Sequence, residues 1–350
     1  MQTDTKKGLN ILVTGGAGFL GKAIVRELLE PTSPITPARI RIFDIADPHM
    51  SGVDPRIEYY KGDVRDKKAV SDACNAMDLV IHSAAIIDWG TITEEEIYAV
   101  NTTGTQNVVD ACKLHGIRYM VYTSSLDAVY SGKPLVQVDE SQPYPAKHRT
   151  SYCRSKALSE QIISREVNGN FKAVSLRPSD IYGEADPYHI ASLVNMAKAG
   201  FYVRIGNGTA KTQHVYVGNM AFAHLQAAQA LMNGSDISGK HYFITDAEGT
   251  NFFKFFDKVV EGIGYKIKPK NFWIPRPIAY AMGSMAEATA FLMRPIKKTQ
   301  PKFSRFAVVY TCTEYTFNSQ KAMKDFGFRL KYSNDEAMRR TIQYYKNNPI

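Results

Sequence analysis

A tyrosine and a lysine that stand four residues apart could carry out proton transfer. They are the first and last residues of Tyr152-Cys153-Arg154-Ser155-Lys156, which opens a predicted helix, and residues at this spacing share one helix face. A free phenol has a pKa of about 10 and is a poor base at neutral pH, but a neighbouring ammonium group favours its ionised form. We therefore predict that Tyr152 is a general acid/base and that Lys156 is its electrostatic partner.

Three spaced glycines predict where a dinucleotide binds. Gly15, Gly18 and Gly21 lie between a short apolar run and an amphipathic one. Gly15 suits a tight turn, Gly18 lets the backbone approach a pyrophosphate, and Gly21 lets the helix pack close to the strand. Phe19 and Leu20 lie at the same helix N-terminus, whose free N–H groups suit phosphate. All five residues are assigned to the cofactor site.

Acidic and small residues at three later strand ends extend this cofactor site. Asp44 ends the second predicted strand, where a carboxylate accepts hydrogen bonds from the adenosine ribose and repels a 2′-phosphate, so NAD is favoured over NADP. Asp63 and Val64 follow the third strand, where an acidic side chain could reach the adenine amine. Ala84 and Ala85 supply the small side chains that a dinucleotide lying over strand ends requires.

Further strand ends are predicted to lie beside the reacting atoms. Ser125 follows the fifth strand, where its hydroxyl could bind a substrate oxygen alongside the tyrosine, and Ser124 is the adjacent alternative. Pro178 follows the sixth strand, beside the expected nicotinamide ring, whose positive charge when oxidised adds to that of the lysine in favouring the phenolate. His82 ends the fourth strand, and we interpret it as a structural group.

Strand and helix patterns alternate through the first half of the chain. The strand candidates are Ile11–Val13, Arg39–Phe43, Ile57–Lys61, Leu79–His82, Met120–Thr123 and Ala173–Arg177, and the helix candidates are Lys22–Leu29, Lys67–Asn75, Thr93–Leu114 and Tyr152–Val167. Repeated βα units with Val/Ile-rich strands indicate a parallel sheet covered by helices on both faces. We predict an α/β fold: a doubly wound parallel sheet of the Rossmann type over residues 1–182, and a smaller, mostly helical C-terminal substrate lobe over 183–350 that is interleaved with the sheet.

These motifs together resemble the extended short-chain dehydrogenase/reductase family. Within it the chain is most similar to the 3β-hydroxysteroid dehydrogenase branch, which includes the sterol 4α-carboxylate 3-dehydrogenases. The segments that carry the resemblance to this branch are Ala85–Gly90, Arg177-Pro178, Ile181–Glu184, Val215–Asn219, Tyr315–Asn318, Lys321-Ala322 and Phe326–Phe328.

The resemblance implies a reaction and roles for particular residues. The activity would be NAD-dependent oxidation of a 3β-hydroxyl group on a steroid or sterol to the ketone, with Tyr152 as general base, Lys156 as its partner and ribose ligand, and Ser125 orienting the hydroxyl. Asn101 would help to hold the helix of the active site or a water chain. Some branch members also isomerise the steroid double bond; Asp246 stands where their acidic residues lie, and a turn residue after a strand is an equal interpretation of it.

Composition limits the compartment and the partners. The net charge of +9 comes from lysines and arginines that are dispersed along the chain, so we expect no nucleic-acid partner. Four cysteines without a CxxC pair suggest neither a disulfide framework nor a metal site. Because the start of the chain is polar and soon reaches the first strand, we expect no targeting signal before that strand. We expect a cytoplasmic homodimer.

One apolar stretch points to a hydrophobic substrate. Residues 272–293 are largely apolar, but Arg276, Pro277 and Glu287 interrupt them, so a membrane-spanning helix is not expected. The stretch could wall an apolar cavity, or it could also lie in a membrane interface, with Arg294 and the lysines up to residue 298 on lipid headgroups. Both interpretations favour a steroid-like substrate, and the second adds peripheral membrane contact through 272–298.

Other functions fit the same scaffold. One alternative is an epimerase or reductase of a nucleotide sugar, for which Arg204, Lys211 and His214 could bind a diphosphate. Another is a reductase of long-chain 3-keto lipids. A dinucleotide-sensing protein without catalysis is disfavoured because the serine, tyrosine and lysine are all present.

Overall fold

The structure is a computed structural model of the 350-residue chain, and it describes residues 8–46, 54–87, 92–246, 248–293 and 303–350. Residues 88–90 of the family-like segment and 294–298 of the basic stretch lie outside the described residues, as does the polar start of the chain, 1–7.

The described elements follow one another in a regular order. In the first half they are β1 (Leu9–Thr14), α1 (Phe19–Leu29), β2 (Pro37–Asp44), β3 (Ile57–Lys61), α2 (Lys67–Cys74), β4 (Leu79–His82), α3 (Glu94–Tyr98), α4 (Gly104–Leu114), β5 (Tyr119–Thr123), β6 (Leu135–Val138), α5 (Ser151–Glu166), β7 (Lys172–Pro178) and β8 (Asp180–Tyr182). In the second half they are α6 (Ile190–Lys198), β9 (Arg204–Ile205), β10 (His214–Tyr216), α7 (Val217–Met232), β11 (His241–Ile244), α8 (Phe252–Ile263), β12 (Trp273–Ile274), α9 (Arg276–Met293), α10 (Arg305–Thr311), β13 (Tyr315–Phe317), α11 (Gln320–Phe326) and α12 (Asn334–Asn347).

Seven strands form one parallel sheet in the order β11-β7-β5-β4-β1-β2-β3. Because successive strand residues point to opposite faces, Ile11 and Val13 enter the core on one side of the sheet and Leu12 enters the core on the other. Helices α1 and α7 cover the first side, and α2 and α4 cover the second. The predicted doubly wound α/β fold is confirmed.

The strand order reverses between β1 and β4. In doubly wound sheets, ligands bind in the crevice at such a switch point, outside the carboxyl ends of the strands. The glycine turn follows β1 and the small residues Ala84 and Ala85 follow β4, so the fold brings two of the predicted cofactor motifs to this crevice.

The predicted helix Thr93–Leu114 contains a π-helical turn. The helical path runs from α3 through the π turn at Ala99–Thr103 into α4, and Asn101 lies buried in that turn. A π turn inserts an extra residue into a helix and frequently marks a functional site. Here it places the Asn101 side chain between two elements of the candidate site.

The second half of the chain contributes to the sheet as well as covering it. Strand β11 pairs in parallel with β7, from His241 opposite Ser175 to Ile244 opposite Pro178. Two-stranded parallel pairs join β10 to β8, β12 to β9 and β13 to β6. The division at residue 182 stays a prediction, but the pairing of β11 shows that the C-terminal residues share the main sheet.

Helix α9 differs from the other long helices in how little of it is buried. Only Ala279 and Gly283 are buried among its residues, and Gly283 packs against the backbone of Ser304 and Arg305. Most of its large apolar side chains lie on the surface. Among the described helices, none is both long enough and apolar enough to cross a bilayer.

Candidate active site

A cavity of about 490 Å³ opens at the carboxyl ends of the parallel strands. All the residues predicted for the cofactor or for catalysis line it: Gly15, Gly18, Phe19, Leu20, Gly21, Asp44, Asp63, Val64, Ala84, Ala85, Ser125, Tyr152, Lys156 and Pro178. The alternative serine, Ser124, lies on the same wall. The fold therefore gathers these side chains, while their individual roles stay predictions.

The glycine turn has the shape that a pyrophosphate requires. Gly15 has a φ of 69°, and a Cβ there would lie 2.7 Å from Cα of Ala84. A Cβ on Gly21 would overlap the carbonyl oxygen of Gly15. Helix α1 begins at Phe19 with no side-chain cap and no acidic residue in its first turn, so no side chain of that turn competes with a phosphate for its first N–H groups. These residues fit a dinucleotide phosphate.

Two acidic side chains line the predicted adenosine end of the cavity. Asp44 accepts hydrogen bonds from the backbone N–H of Ala17 and of Ala46, each at 3.0 Å, which fixes its carboxylate beside the glycine turn. Each oxygen keeps a lone pair for a ribose hydroxyl. Asp63 accepts from the Arg65 side chain at 2.6 and 2.9 Å, so its predicted contact with an adenine amine competes with this ion pair.

Helix α5 carries the tyrosine and the lysine into the cavity. The Thr150 hydroxyl caps the helix by accepting from the backbone N–H of Cys153, which orients its first turn. Tyr152 and Lys156 are both buried, and the lysine Nζ lies 6.0 Å from the centre of the tyrosine ring. The Lys156 ammonium donates to the carbonyl oxygen of Thr123 at 2.9 Å, which ties the helix to the end of β5.

Burial dominates the ionisation of this pair. It lowers the pKa of Lys156 to about 7, although Glu160 and Asp127 act in the opposite direction. Burial, and then the charge of Asp127, raise the pKa of Tyr152 well above its usual value, while the Ser125 hydroxyl acts to lower it. The expectation that the phenolate is favoured is thus not met by the chain's own groups, which hold Tyr152 as a neutral phenol.

Ser125 is hydrogen-bonded to Asp127, an acidic residue that the sequence analysis did not select. Its hydroxyl donates to Oδ2 of Asp127 at 2.9 Å, and the Asp127 backbone N–H donates to the Ser125 oxygen at 3.1 Å. Asp127 is itself buried and lines the cavity, and burial raises its pKa to about 6. The sequence did carry a signal for this residue: Asp127 stands two positions after Ser125, the serine at the end of the fifth strand.

Asn101 fastens the active-site helix to the loop after β4. Its amide donates to Ser155 Oγ and to the carbonyl oxygen of Ile86, each at 3.0 Å, and its side-chain oxygen accepts from the Ile86 N–H at 2.8 Å. Ser155 in turn donates to the carbonyl oxygen of Tyr152. Asn101 therefore acts on the position of the tyrosine through α5.

His82 lies outside the cavity wall, in the buried core. Its ring bridges the hydroxyls of Thr14, at 2.6 Å, and Thr105, at 3.0 Å. Burial lowers its pKa to about 3, which keeps the ring neutral. This placement agrees with the structural interpretation of His82.

Asp246 has a structural position rather than one in the cavity. Its carboxylate accepts from the Tyr216 N–H at 2.7 Å and from the Asn219 amide at 2.8 Å, so it joins the end of β11 to the start of α7. Asp246 does not line the cavity of about 490 Å³. The interpretation of Asp246 as a residue after a strand fits this geometry better than the isomerase interpretation.

The three residues that the sequence offered for binding a sugar diphosphate lie outside this cavity. Arg204 is buried and pairs with Asp257 at 2.8 Å, and His214 is fully buried against Phe255. Lys211, like these two, is absent from the cavity wall. The expectation that the 272–293 stretch walls a cavity is also not met for this cavity, since α9 contributes no residue to it.

Comparison with known proteins identifies the family of the chain. The model of the 3-beta hydroxysteroid dehydrogenase/isomerase family matches residues 12–275, which span β1 to the end of β12. The chain belongs to this family. The resemblance to this family that the sequence showed is confirmed. The predicted enzyme class, an oxidoreductase of the 3β-hydroxysteroid dehydrogenase type, is confirmed as well.

Individual relatives match over almost their whole length. A decarboxylating sterol-4-alpha-carboxylate 3-dehydrogenase of Candida albicans is 32% identical, over 96% of this chain and 97% of the relative. The mouse protein of the same name is 29% identical, over 99% and 93%. Among solved structures, a dTDP-glucose 4,6-dehydratase from Streptomyces venezuelae has a TM-score of 0.76 at 19% identity, covering 97% of this chain and 98% of that one. At that identity the structural likeness supports the fold alone.

Proposed function

We propose that the protein oxidises a 3β-hydroxyl group of a steroid or sterol to the ketone, with NAD as the oxidant and Tyr152 as the general base. One observation carries the proposal: Ser125, Tyr152 and Lys156 lie on the wall of the same cavity whose far end is the glycine turn. A family whose members are named for this reaction supports it.

NAD is proposed rather than NADP because of Asp44. The two backbone N–H groups hold its carboxylate at the cavity wall, where a ribose 2′-phosphate would meet a fixed negative charge. Bound NAD would be held by the start of α1, by Asp44 and by Lys156, and it supplies the hydride acceptor and, when oxidised, a positive charge.

The chain's own residues prepare the alcohol for oxidation. Tyr152 takes the hydroxyl proton, and Ser125 holds the substrate oxygen beside it. The amino group of Lys156 is tied to Thr123 within reach of the phenol. Its ammonium form, together with the positive charge of oxidised NAD, would favour the phenolate that burial disfavours in the chain alone. All three side chains are buried, and the low dielectric constant of a buried site strengthens each of these interactions.

A sterol is the favoured substrate class. The relatives that match almost the whole chain are named for sterol carboxylates, and this supports a bulky apolar alcohol. The nucleotide-sugar alternative loses support because Arg204 and His214 are committed to buried contacts. A reductase of long-chain 3-keto lipids remains the second candidate, and its only support is that such enzymes share this scaffold.

The test uses one probe that carries a 4α-carboxylate and one that does not. The purified protein is incubated with NAD and either a 4α-carboxysterol or dehydroepiandrosterone, and NADH and carbon dioxide are measured. We expect NADH from at least one probe, with carbon dioxide only from the carboxysterol. Absence of NADH from both, with the protein folded, would remove the sterol assignment.

A pair of tyrosine variants tests the base. Tyr152→Phe should lower the rate of NADH formation by at least about a hundredfold. Tyr119→Phe removes a hydroxyl at the opposite end of β5 and should leave the rate close to wild type. Turnover that survives in Tyr152→Phe would contradict the role of the phenol.

We also propose that α9 rests on a lipid surface. Ile278, Met282, Met285 and Leu292 recur at helical spacing along one side of α9, and their exposed fractions range from 44% to 76%. The opposite side carries the buried Ala279 and Gly283. In the sequence, basic residues follow Met293 directly, and an apolar helix face with adjacent cations suits an anionic membrane.

Vesicle flotation tests this surface. The wild type should float with phosphatidylserine vesicles, and Met285→Asp/Leu292→Asp should not. The control, Leu114→Asp/Val136→Asp, alters two apolar side chains that are also more than half exposed, 74% and 56%, but lie elsewhere, and it should still float. Light scattering checks the predicted homodimer: a dimer that the Met285 and Leu292 changes dissociate, without vesicle binding, would assign the face to a second copy instead.

A further inference from the structure

The cavity holds a carboxyl group that the oxidation does not need. Asp127 is buried to all but 8% of its surface and lines the cavity together with Ser125 and Tyr152. It lies in the 3-10 turn at Leu126–Val129 that follows β5. Buried carboxyl groups beside a reacting centre are candidates for acid–base chemistry because burial brings their pKa towards neutrality.

The two oxygens of Asp127 differ in their partners. Oδ2 accepts the Ser125 hydroxyl at 2.9 Å. Oδ1 faces the Cys153 thiol at 3.7 Å, and a thiol is a weak donor. Oδ1 is therefore the oxygen with capacity to take a proton, while Oδ2 stays linked to the serine.

We propose that Asp127 exchanges a proton with the carbon next to the ketone that the oxidation forms, so that the same cavity enolises its 3-keto product. The inference rests on the proposed function, because it needs a ketone whose oxygen lies at Tyr152 and Ser125. The family is named for an isomerase as well as for a dehydrogenase. What the proposal adds is the residue: it assigns the proton at carbon to Asp127, which lines the cavity, and not to Asp246, which does not.

The step balances within the chain and its substrate. The α C–H bond breaks and its proton goes to Oδ1 of Asp127, while the electron pair forms the C=C bond and the carbonyl π electrons move to oxygen. The enolate oxygen receives a hydrogen bond from Tyr152, which the site holds as a neutral phenol. When Asp127 becomes neutral, its hold on the Ser125 hydroxyl weakens, and that hydroxyl can turn to the enolate.

The reverse step has a use when the substrate carries a carboxylate beside the new ketone. Loss of carbon dioxide from a β-keto acid leaves an enolate, and its carbon must gain a proton. A protonated Asp127 would supply that proton and return to the carboxylate. In ketosteroid isomerase, which has an unrelated fold, an aspartate also moves the proton at carbon while a tyrosine donates to the carbonyl oxygen.

Several charged and titratable groups surround Asp127 and set its ionisation. Burial raises its pKa to about 6, the Asp180 carboxylate adds to the rise, and the hydroxyl of Ser125, the thiol of Cys153 and the ammonium of Lys156 act against it. Besides the phenol of Tyr152, those of Tyr130, Tyr310 and Tyr315 face the same carboxyl. The carboxylate form, which is the base, is therefore gained as the pH rises through about 6.

Deuterium uptake tests the proposal without hydride transfer. Dihydrotestosterone, a saturated 3-ketosteroid, is incubated in deuterated water with the protein and oxidised NAD, which cannot react with a ketone, and uptake at the α carbons is measured by mass spectrometry. We expect uptake above the buffer rate, and a loss on the order of a hundredfold in Asp127→Asn, which keeps the acceptor for Ser125.

A second carboxyl provides the matched control. Asp180 lines the same cavity, and Asp180→Asn should retain uptake within a few-fold. Uptake that is equal in Asp127→Asn and wild type, or that is lost only in Asp180→Asn, would overturn the assignment. In the wild type, uptake should rise as the pH passes through about 6, and a flat profile would also count against Asp127.

Failure of the proposed function gives a different pattern. NADH formation from the 3β-alcohol is measured in the same preparations. No NADH from the wild type with either sterol probe would refute the function, whereas NADH without deuterium uptake from the ketone would refute only the role of Asp127.

Discussion

The amide nitrogen of Asn101 lies 3.0 Å from the hydroxyl oxygen of Ser155. This bond joins the π turn before α4 to α5 at the residue that directly precedes Lys156. Because Ser155 also donates to the Tyr152 carbonyl, the position of the phenol depends on a residue that does not line the cavity.

Asn101→Ala should therefore reduce turnover more than cofactor binding. The change removes three hydrogen bonds of a buried side chain and should lower the free energy of unfolding by about 1–3 kcal/mol. Steady-state kinetics should show a fall in kcat with a small change in the KM for NAD.

Asn107→Ala is the matched control for that variant. Asn107 is a buried asparagine of α4 that donates to the carbonyl oxygens of Val64 and Arg65, so its loss should act chiefly on the KM for NAD. Equal effects of the two variants on kcat would mean that Asn101 has no specific link to the tyrosine.

Gly21→Ala should weaken cofactor binding and destabilise the protein. The added Cβ would overlap the Gly15 carbonyl oxygen, so the turn or α1 must shift, at a cost of about 1–3 kcal/mol. Titration of NADH fluorescence and thermal unfolding measure the two effects. Gly169→Ala adds a Cβ with nothing within 4 Å and should leave both within error.

The ion pair between Arg177 and Glu160 should be costly to break from one side. Both side chains are buried and meet at 2.7 and 2.8 Å. Although burial acts to raise it, the guanidinium lowers the pKa of Glu160, which keeps the carboxylate charged. Arg177→Met would strand that charge and should cost about 3–5 kcal/mol in urea unfolding.

The double variant separates the charge from the packing. Arg177→Met/Glu160→Leu removes both charges and should recover much of the lost stability, because an apolar pair of similar volume often replaces a buried ion pair at little cost. If the double variant is as unstable as the sum of the single ones, the penalty comes from shape and not from a stranded charge.

His224 should make stability depend on pH in one direction. Burial lowers the pKa of His224 to about 4 in the folded protein, against about 6.5 in the unfolded chain. Between about pH 6.5 and pH 4 the imidazole is therefore protonated mainly in the unfolded chain. The wild type then loses stability relative to His224→Gln, which does not titrate, as the pH falls. At pH 5 the difference should have moved by about 2 kcal/mol in favour of the variant. Urea unfolding at pH 7 and pH 5 measures it, and a gap that is constant with pH would contradict the buried neutral ring.

The six predicted strands all lie in the sheet, each within two residues of its predicted ends. These strands could be predicted from the sequence because a buried parallel strand is a short run of Val, Ile and Leu, which can be recognised without knowing its partner strand. The β13 pairing with β6 joins residues far apart in the chain. Such pairing depends on tertiary packing, which cannot be predicted from the pattern of residues within one short segment.

The candidate site divides in the same way. The glycine turn, Tyr152 and Lys156 depend on spacing within one element, so the sequence indicates them directly. Asp127 required knowledge of how deeply the turn after β5 is buried, and the neutral state of Tyr152 required the balance between burial and nearby charge. Both are properties of the folded environment.

The pairing of β11 with β7 has a consequence for synthesis of the chain on the ribosome. Strand β7 ends at Pro178, and its neighbour on the outer side begins at His241, so at the usual rates of elongation that edge stays unpaired for about 3–12 seconds. An unpaired, apolar strand edge is a template for association with another chain. A nascent chain stalled between these two strands is therefore the form of this protein most in need of a chaperone.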